Sequence, residues 1–265
     1  MPDEHDVGRT AQGMTARFMV GPIWVSAITM EEALSLALGA RQRGEKLSFH
    51  FCSVNGVVES SRNPALRIAL EHASVAAPDG MPLVWLGRLS GCTVERVCGP
   101  DFMPQLLDQG RAEGYRHFLY GGANGVAERL ARRMGERLPG LIIVGTETPP
   151  FRPLTANEND EAIERINAAD PDCLWLGVST PKQDIWLFEN RLRIHAPVVL
   201  AVGAAFDFLS GSRTRAPRWM QRLGLEWFFR LLAEPRRLWR RYTVVNLQFI
   251  GLVLREALRP RFRAR

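Results

Sequence analysis

The chain has 265 residues, 46% of them hydrophobic, and its four cysteines show neither C-x-x-C spacing nor a neighbouring histidine cluster. That length builds one large domain plus an appendage, and those cysteines favour neither a disulfide framework nor a zinc site, which fits a reducing cytosol. The net charge of +6 is unevenly held: from position 211 onward fourteen arginines face three acids, a net +11, which leaves −5 for residues 1–210.

A mildly acidic body with a basic, aromatic-rich end suits an anionic partner: a membrane surface, a nucleic acid or a phosphorylated substrate. Residues 1–20 carry Asp3, Glu4 and Asp6 without the apolar region of a signal peptide, and are expected to be flexible. No run of about eighteen apolar residues occurs, so no bilayer-spanning segment is predicted.

In chain order, the first predicted strand is Ile23–Ser26. Helix Met30–Arg43 follows, started by the Thr29 hydroxyl and by Glu31 and Glu32 in its first turn. Strand Leu47–Ser53 leads to Ser53 and Asn55, which either bond a substrate or cap the next turn. After helix Asn63–His72 and strand Val75–Ala77 comes Pro78-Asp79-Gly80. Asp-Gly is ordinary turn chemistry; the functional reading is a carboxylate at the sheet mouth, placed to act as a general base. Arg96 either pairs with Glu95 or Asp101 on the surface or clamps a diphosphate with its planar fork.

Helix Pro104–Glu113 and strand His117–Tyr120 precede the turn Gly121-Gly122-Ala123-Asn124-Gly125, which opens helix Val126–Leu138. Glycines allow close backbone approach and a helix start favours phosphate, yet the turn is not G-x-G-x-x-G. Strand Leu141–Val144, helix Glu158–Ala168 and strand Cys173–Leu176 follow. Then Pro181 stands at a first helical position, with Lys182 and Gln183 in the first turn of helix Lys182–Arg193. After strand Val198–Ala201, Asp207 supplies a second carboxylate at the rim or a structural brace for loop amides. The alternation predicts an α/β fold: a Rossmann-like core, residues 21–210, with a largely parallel sheet flanked by helices. Residues 211–265 form the basic helical appendage. Arg230, Arg237 and Arg240 share one face if that helix is continuous.

These segments, in order, resemble the WecG/TagA/CpsF glycosyltransferases, glycosyltransferase family 26. The resemblance runs over residues 22–242 through Ser53-Val54-Asn55, Pro78-Asp79-Gly80, Glu95-Arg96 with Gly99 and Asp101, and Gly121-Gly122. It continues through Pro181-Lys182-Gln183, Phe206-Asp207, Arg215-Ala216-Pro217, Gly224-Leu225-Glu226-Trp227, Glu234-Pro235-Arg236-Arg237 and Arg240-Arg241-Tyr242. It implies an inverting, metal-independent hexosyltransferase without a cofactor. The donor would be a UDP-sugar carrying N-acetylmannosamine, its uronic acid or glucose. The acceptor would be a polyprenyl-diphosphate-linked saccharide at the inner face of the cytoplasmic membrane, in cell-surface polysaccharide assembly. The family's active-site Asp falls on Asp79 and its Thr on Ser53. Its substrate-binding Asn, Arg and Gln fall on Asn55, Arg96 and Gln183, and its appendage arginines on Arg230, Arg237 and Arg240. Gly121, Gly122, Lys182 and Asp207 complete the expected substrate site, with no metal ligand. No nucleic-acid partner is expected, and a homo-oligomer is compatible with the sequence. Two rival readings are an NAD(P)-dependent oxidoreductase, with Glu147 on a ribose, and a nucleic-acid binder using the tail.

Overall fold

A computed structural model describes residues 15–233 and 235–257. Residues 1–14 of the expected flexible segment and residues 258–265 of the basic end lie outside the described residues. The described residues open with an antiparallel hairpin, β1 (Arg17–Val20) and β2 (Ile23–Ser26), turned at Gly21, whose φ is +58°. Phe18, Val20, Ile23 and Val25 are buried. The expected strand Ile23–Ser26 is thus present, but outside the main sheet: the Gly21-Pro22 turn folds it back on β1. That partner strand lies inside the stretch expected to be flexible.

Six parallel strands form the main sheet: β3 (Leu47–Cys52), β4 (Val75–Pro78), β5 (Arg116–Gly121), β6 (Ile142–Glu147), β7 (Cys173–Gly177) and β8 (Val198–Ala201). Their order is β4-β3-β8-β7-β5-β6. Strands covered on both faces read as continuous apolar runs, and β3, β4 and β8 are buried throughout.

On one face Phe49, Leu119, Trp175 and Leu200 pack against α1 (Met30–Arg43), α5 (Gly99–Gln109) and α6 (Val126–Arg137), through Ala37, Phe102 and Leu130. On the other, Leu174, Leu176 and Val199 meet Ile166 of α7 (Ala156–Ala168) and Leu187 of α8 (Lys182–Asn190). The β4 edge is closed by the hairpin, α2 (Val54–Ser60), α3 (Pro64–Glu71) and α4 (Met81–Leu89). The predicted start of α1 is a full capping box. The Thr29 hydroxyl accepts from Glu32 N–H at 3.2 Å, and the Glu32 carboxylate accepts from Thr29 N–H at 2.8 Å.

Sequence reading missed α2 and α4, which start within three residues of a strand end and leave no room for a separate loop signal. It also began the fifth helix at Pro104. In the structure α5 starts at Gly99, carries Pro104 inside and passes into a 3₁₀ turn over Gly110–Glu113. Proline marks a helix start in most sequences; here it forfeits one interior hydrogen bond instead.

Beyond α9 (Ala205–Leu209) the chain is helical: α10 (Arg218–Arg222), α11 (Glu226–Ala233) and α12 (Pro235–Ala257). Arg230 lies on α11, and Arg237 and Arg240 lie on α12. Residue 234, between the two helices, lies outside the described residues, and with it the expected alignment of the three arginines on one face. One face of α12 packs on α2, burying Phe249, and the Glu256 carboxylate accepts from Gly21 N–H at 2.7 Å. The opposite stripe, Val244, Leu247, Ile250 and Leu254, is exposed.

Candidate active site

A parallel sheet sends every strand's C-terminus to one edge, where ligands of such folds bind. Strand β4 ends at Pro78, and Asp79 leaves the sheet there, its N–H donating to the Cys52 carbonyl at 2.9 Å. That carbonyl ends the neighbouring strand β3, so Ser53 and Asn55 come beside Asp79, as their strand adjacency requires. The Ser53 hydroxyl caps α2 by accepting from Gly56 N–H at 3.2 Å, and Asn55 sits half-buried in the first turn.

Arg96 closes over this corner. Its Nε donates to the Asp79 carbonyl at 2.7 Å, and its Nη2 stands 3.6 Å from the Asp79 carboxylate. The same Nη2 donates to the Glu226 carboxylate at 2.8 Å. Neither surface partner expected for Arg96 is the one it takes. Glu95 accepts from Met30 N–H at the start of α1, and Asp101 is held by Arg215, whose Nη2 donates to it at 2.8 Å. Burial pushes the Asp79 carboxyl up to about 6; Arg96 opposes this and Glu226 reinforces it. Burial pushes Asp101 the same way, but hydrogen bonds from Arg215 and the Cys98 thiol prevail and its pKa is lowered. Sequence reasoning offered Asp101 only as a surface partner for Arg96, and it quoted Arg215 and Glu226 in the resemblance without giving either a role. The available signal was an isolated acid, Glu226, in a strongly basic tail.

The second group lies along the rim at β7 and β5, about 14 and about 19 Å from Asp79 by strand spacing. Strand β5 leads outward to β6 while β7 leads inward to β8, so the loops leaving them part here. Gly121 has φ +130°, and a Cβ on it would stand 2.7 Å from the Gly177 carbonyl carbon. Gly122 continues the turn and donates its N–H to the Gly177 carbonyl at 3.0 Å. Close strand approach therefore requires this glycine. Gln183 is buried, accepting from Ser179 N–H at 3.1 Å and donating to the Ala201 carbonyl at 2.8 Å. It braces the β7 loop against the end of β8 rather than facing an open cleft. Lys182 is exposed, its ammonium 5.7 Å from the centre of the Phe151 ring, and Phe151 itself is fully exposed. Asp207, at the head of α9, pairs with Arg213 at 3.3 Å. Glu147, the acid a dinucleotide reading needs for a ribose, is held through both oxygens by Arg165 at 2.8 and 3.1 Å.

A cleft of about 720 Å³ opens beside Arg96, lined also by Met81, Asp101, Arg137, Arg218 and Gln221. A hollow of about 770 Å³ runs between α1 and α5, away from Asp79, past Leu38 and Gln42. The side chains of Arg230, Arg237 and Arg240 lie outside the described residues. Among the described residues no three His, Cys, Asp or Glu side chains converge as a metal site would.

An α/β sheet whose rim holds Asp79 under an arginine, beside a cation-lined cleft, suits an enzyme that handles an anionic substrate. The chain belongs to the Glycosyl transferase WecG/TagA/CpsF family, which matches residues 18–263, and it is a glycosyltransferase. It is 31% identical over 184 residues to an N-acetylglucosaminyldiphosphoundecaprenol N-acetyl-beta-D-mannosaminyltransferase of Bacillus spizizenii, covering 69% of each chain. It is 29% identical over 197 residues to the enzyme of that name from Bacillus subtilis, covering 70% of this chain and 75% of that one.

Proposed function

We propose that the chain moves N-acetylmannosamine from a UDP-sugar to a polyprenyl-diphosphate-linked N-acetylglucosamine, with inversion and without a metal, at the inner face of the cytoplasmic membrane. The names of the two relatives support the sugar and the acceptor. The observation that carries the mechanism is Asp79, whose carboxyl is held near neutrality at the strand edge beside Arg96. A base works best when its pKa lies near the working pH.

In this reading Asp79 takes the proton of the acceptor hydroxyl as that oxygen bonds to the anomeric carbon. The bond from that carbon to the UDP oxygen breaks on the opposite side, and UDP leaves with the electron pair. Charge on the departing diphosphate is met by Arg96, and the glycine turn before α6, further along the rim, is left for the nucleotide end of the donor. Ser53 and Asn55 orient the sugars, and Asp207 lies on the same rim. Gln183 acts through the loop it braces, holding Lys182 at the rim. Phe151 beside Lys182 offers a flat apolar face to the nucleoside.

Residues 211–265 are the part that we assign to the membrane, with Arg230, Arg237 and Arg240 as its phosphate contacts. Its apolar side chains support this: Trp219, Leu223, Trp227, Leu232, Trp239 and Leu247 are all exposed. Aromatic and basic residues together suit a bilayer interface. Among the described residues no helix is long and apolar enough to cross a membrane.

Asp79→Asn should lower transfer by about 10²–10⁴-fold, the usual loss for a general base, while UDP binding by calorimetry stays close to wild type. Transfer from saturating UDP-N-acetylmannosamine above about a third of the wild-type rate, far outside that range, would exclude Asp79 as the base.

A further inference from the structure

Glu226 takes no part in the mechanism above, yet it reaches into its centre. It opens α11 in the basic tail and bonds a residue 130 positions earlier, Arg96, at 2.8 Å. That guanidinium also holds the Asp79 carbonyl at 2.7 Å and stands 3.6 Å from the Asp79 carboxylate. One nitrogen, Nη2, therefore serves two carboxylates, and the nearer is Glu226. The other Glu226 oxygen lies 3.6 Å from Arg215 Nε, and Arg215 is anchored on Asp101.

An arginine paired directly with a single carboxylate makes it a weaker base, commonly by one to three pKa units, or roughly that order. We infer that Glu226 is a positioning residue: it draws Arg96 away from Asp79, so that Asp79 remains able to accept a proton and Arg96 remains at the cleft. The inference rests on the reading of Asp79 as the base. Removing Glu226 lets Arg96 close on Asp79 and turns the pair into an unreactive ion pair.

The charged groups facing Asp79 are few: Arg96 from the segment before α5, Asp101 from α5, Arg215 from the segment before α10, and Glu226 from α11. The thiols of Cys52 on β3 and Cys98 before α5 also lie near, and burial raises both well above their usual range, so neither is charged near neutrality.

The test follows the Asp79 carboxyl carbon by NMR in ¹³C-aspartate-labelled full-length protein, its signal assigned by loss in Asp79→Asn. The wild-type midpoint is expected at about 6. In Glu226→Gln it should fall by at least about half a unit, since a like charge nearby is lost and Arg96 is freed. Glu226→Asp, which keeps the charge on a shorter arm, should recover part of the shift. The transfer rate of Glu226→Gln should fall with little change in donor KM, and that of Glu226→Asp should fall less. An unmoved midpoint in a folded Glu226→Gln protein rejects the positioning role whatever its rate. Near wild-type transfer by Asp79→Asn rejects the base reading separately.

Discussion

Burial holds the Asp79 carboxyl at about 6, above its ordinary value of 3.8, so ionising it is harder in the folded protein than in the unfolded chain. The stability this group contributes is fully present below pH 3.8 and is lost as pH rises through 6. Asp79→Asn removes that loss. It should raise the melting temperature at pH 8 by about 2–4 °C, as roughly 1 kcal/mol does for a protein of this size, and leave it unchanged near pH 3. Calorimetry at the two pH values decides this; equal melting temperatures at pH 8 would mean that Arg96 already compensates the charge in full. His117 runs the other way. Burial lowers it to about 3, and its Nδ1 accepts from the Trp175 indole at 3.2 Å. Its contribution is present above pH 6.5 and lost as pH falls through 3.

The loops at β5 and β7 bear strain that one methyl group would make intolerable. Gly121 combines φ +130° with the Gly177 backbone at 2.7 Å from any Cβ. Gly121→Ala should cost more than about 3 kcal/mol in urea unfolding, among the large losses reserved for backbone clashes. Gly135→Ala is the control: it lies within α6 with nothing within 4 Å of an added Cβ. It should gain about 0.4–1 kcal/mol. If the two variants unfold alike, the contact at Gly121 does not constrain the sheet. The glycines were legible in sequence as a turn, but their partner strand was not. The same division holds elsewhere. The strands of the parallel sheet were legible because double burial makes each a bounded apolar run, and Asp79, Ser53 and Asn55 because they follow such runs directly. The Arg96–Glu226–Arg215–Asp101 chain was legible only as separate fragments, because Glu226 and Arg215 reach Arg96 and Asp101 across more than a hundred positions. Gln183 was read as facing substrate; only the packing of α8 under the β8 end shows both its polar atoms taken up by backbone.

At the scale of the molecule, the tail is both a wall of the core and a surface. The inner face of α12 buries Phe249 while its outer stripe is bare. Deleting residues from 211 onward would therefore uncover the hydrophobic cluster at the β4 edge, and point changes test membrane docking more cleanly. Leu247→Glu with Ile250→Glu, both on the exposed stripe, should abolish co-sedimentation with anionic vesicles and leave the melting temperature within a degree or so, since surface changes usually shift stability by less than about 0.5 kcal/mol. Replacing Arg230, Arg237 and Arg240 with Glu should do the same, each arginine contributing on the order of 1 kcal/mol near such a surface. Salt should weaken wild-type docking. Vesicle binding by the Leu247/Ile250 variant equal to wild type would remove the stripe from the membrane contact. The joining of Gly21 to Glu256, 235 positions apart, also sets an order of assembly during synthesis. The hairpin and α2 leave the ribosome well before the helix that covers them. At about 5–20 residues per second, Val20 and Val57 wait roughly 10 to 50 seconds for their cover. For that interval the apolar faces of the hairpin and α2 are open to whatever else the nascent chain meets.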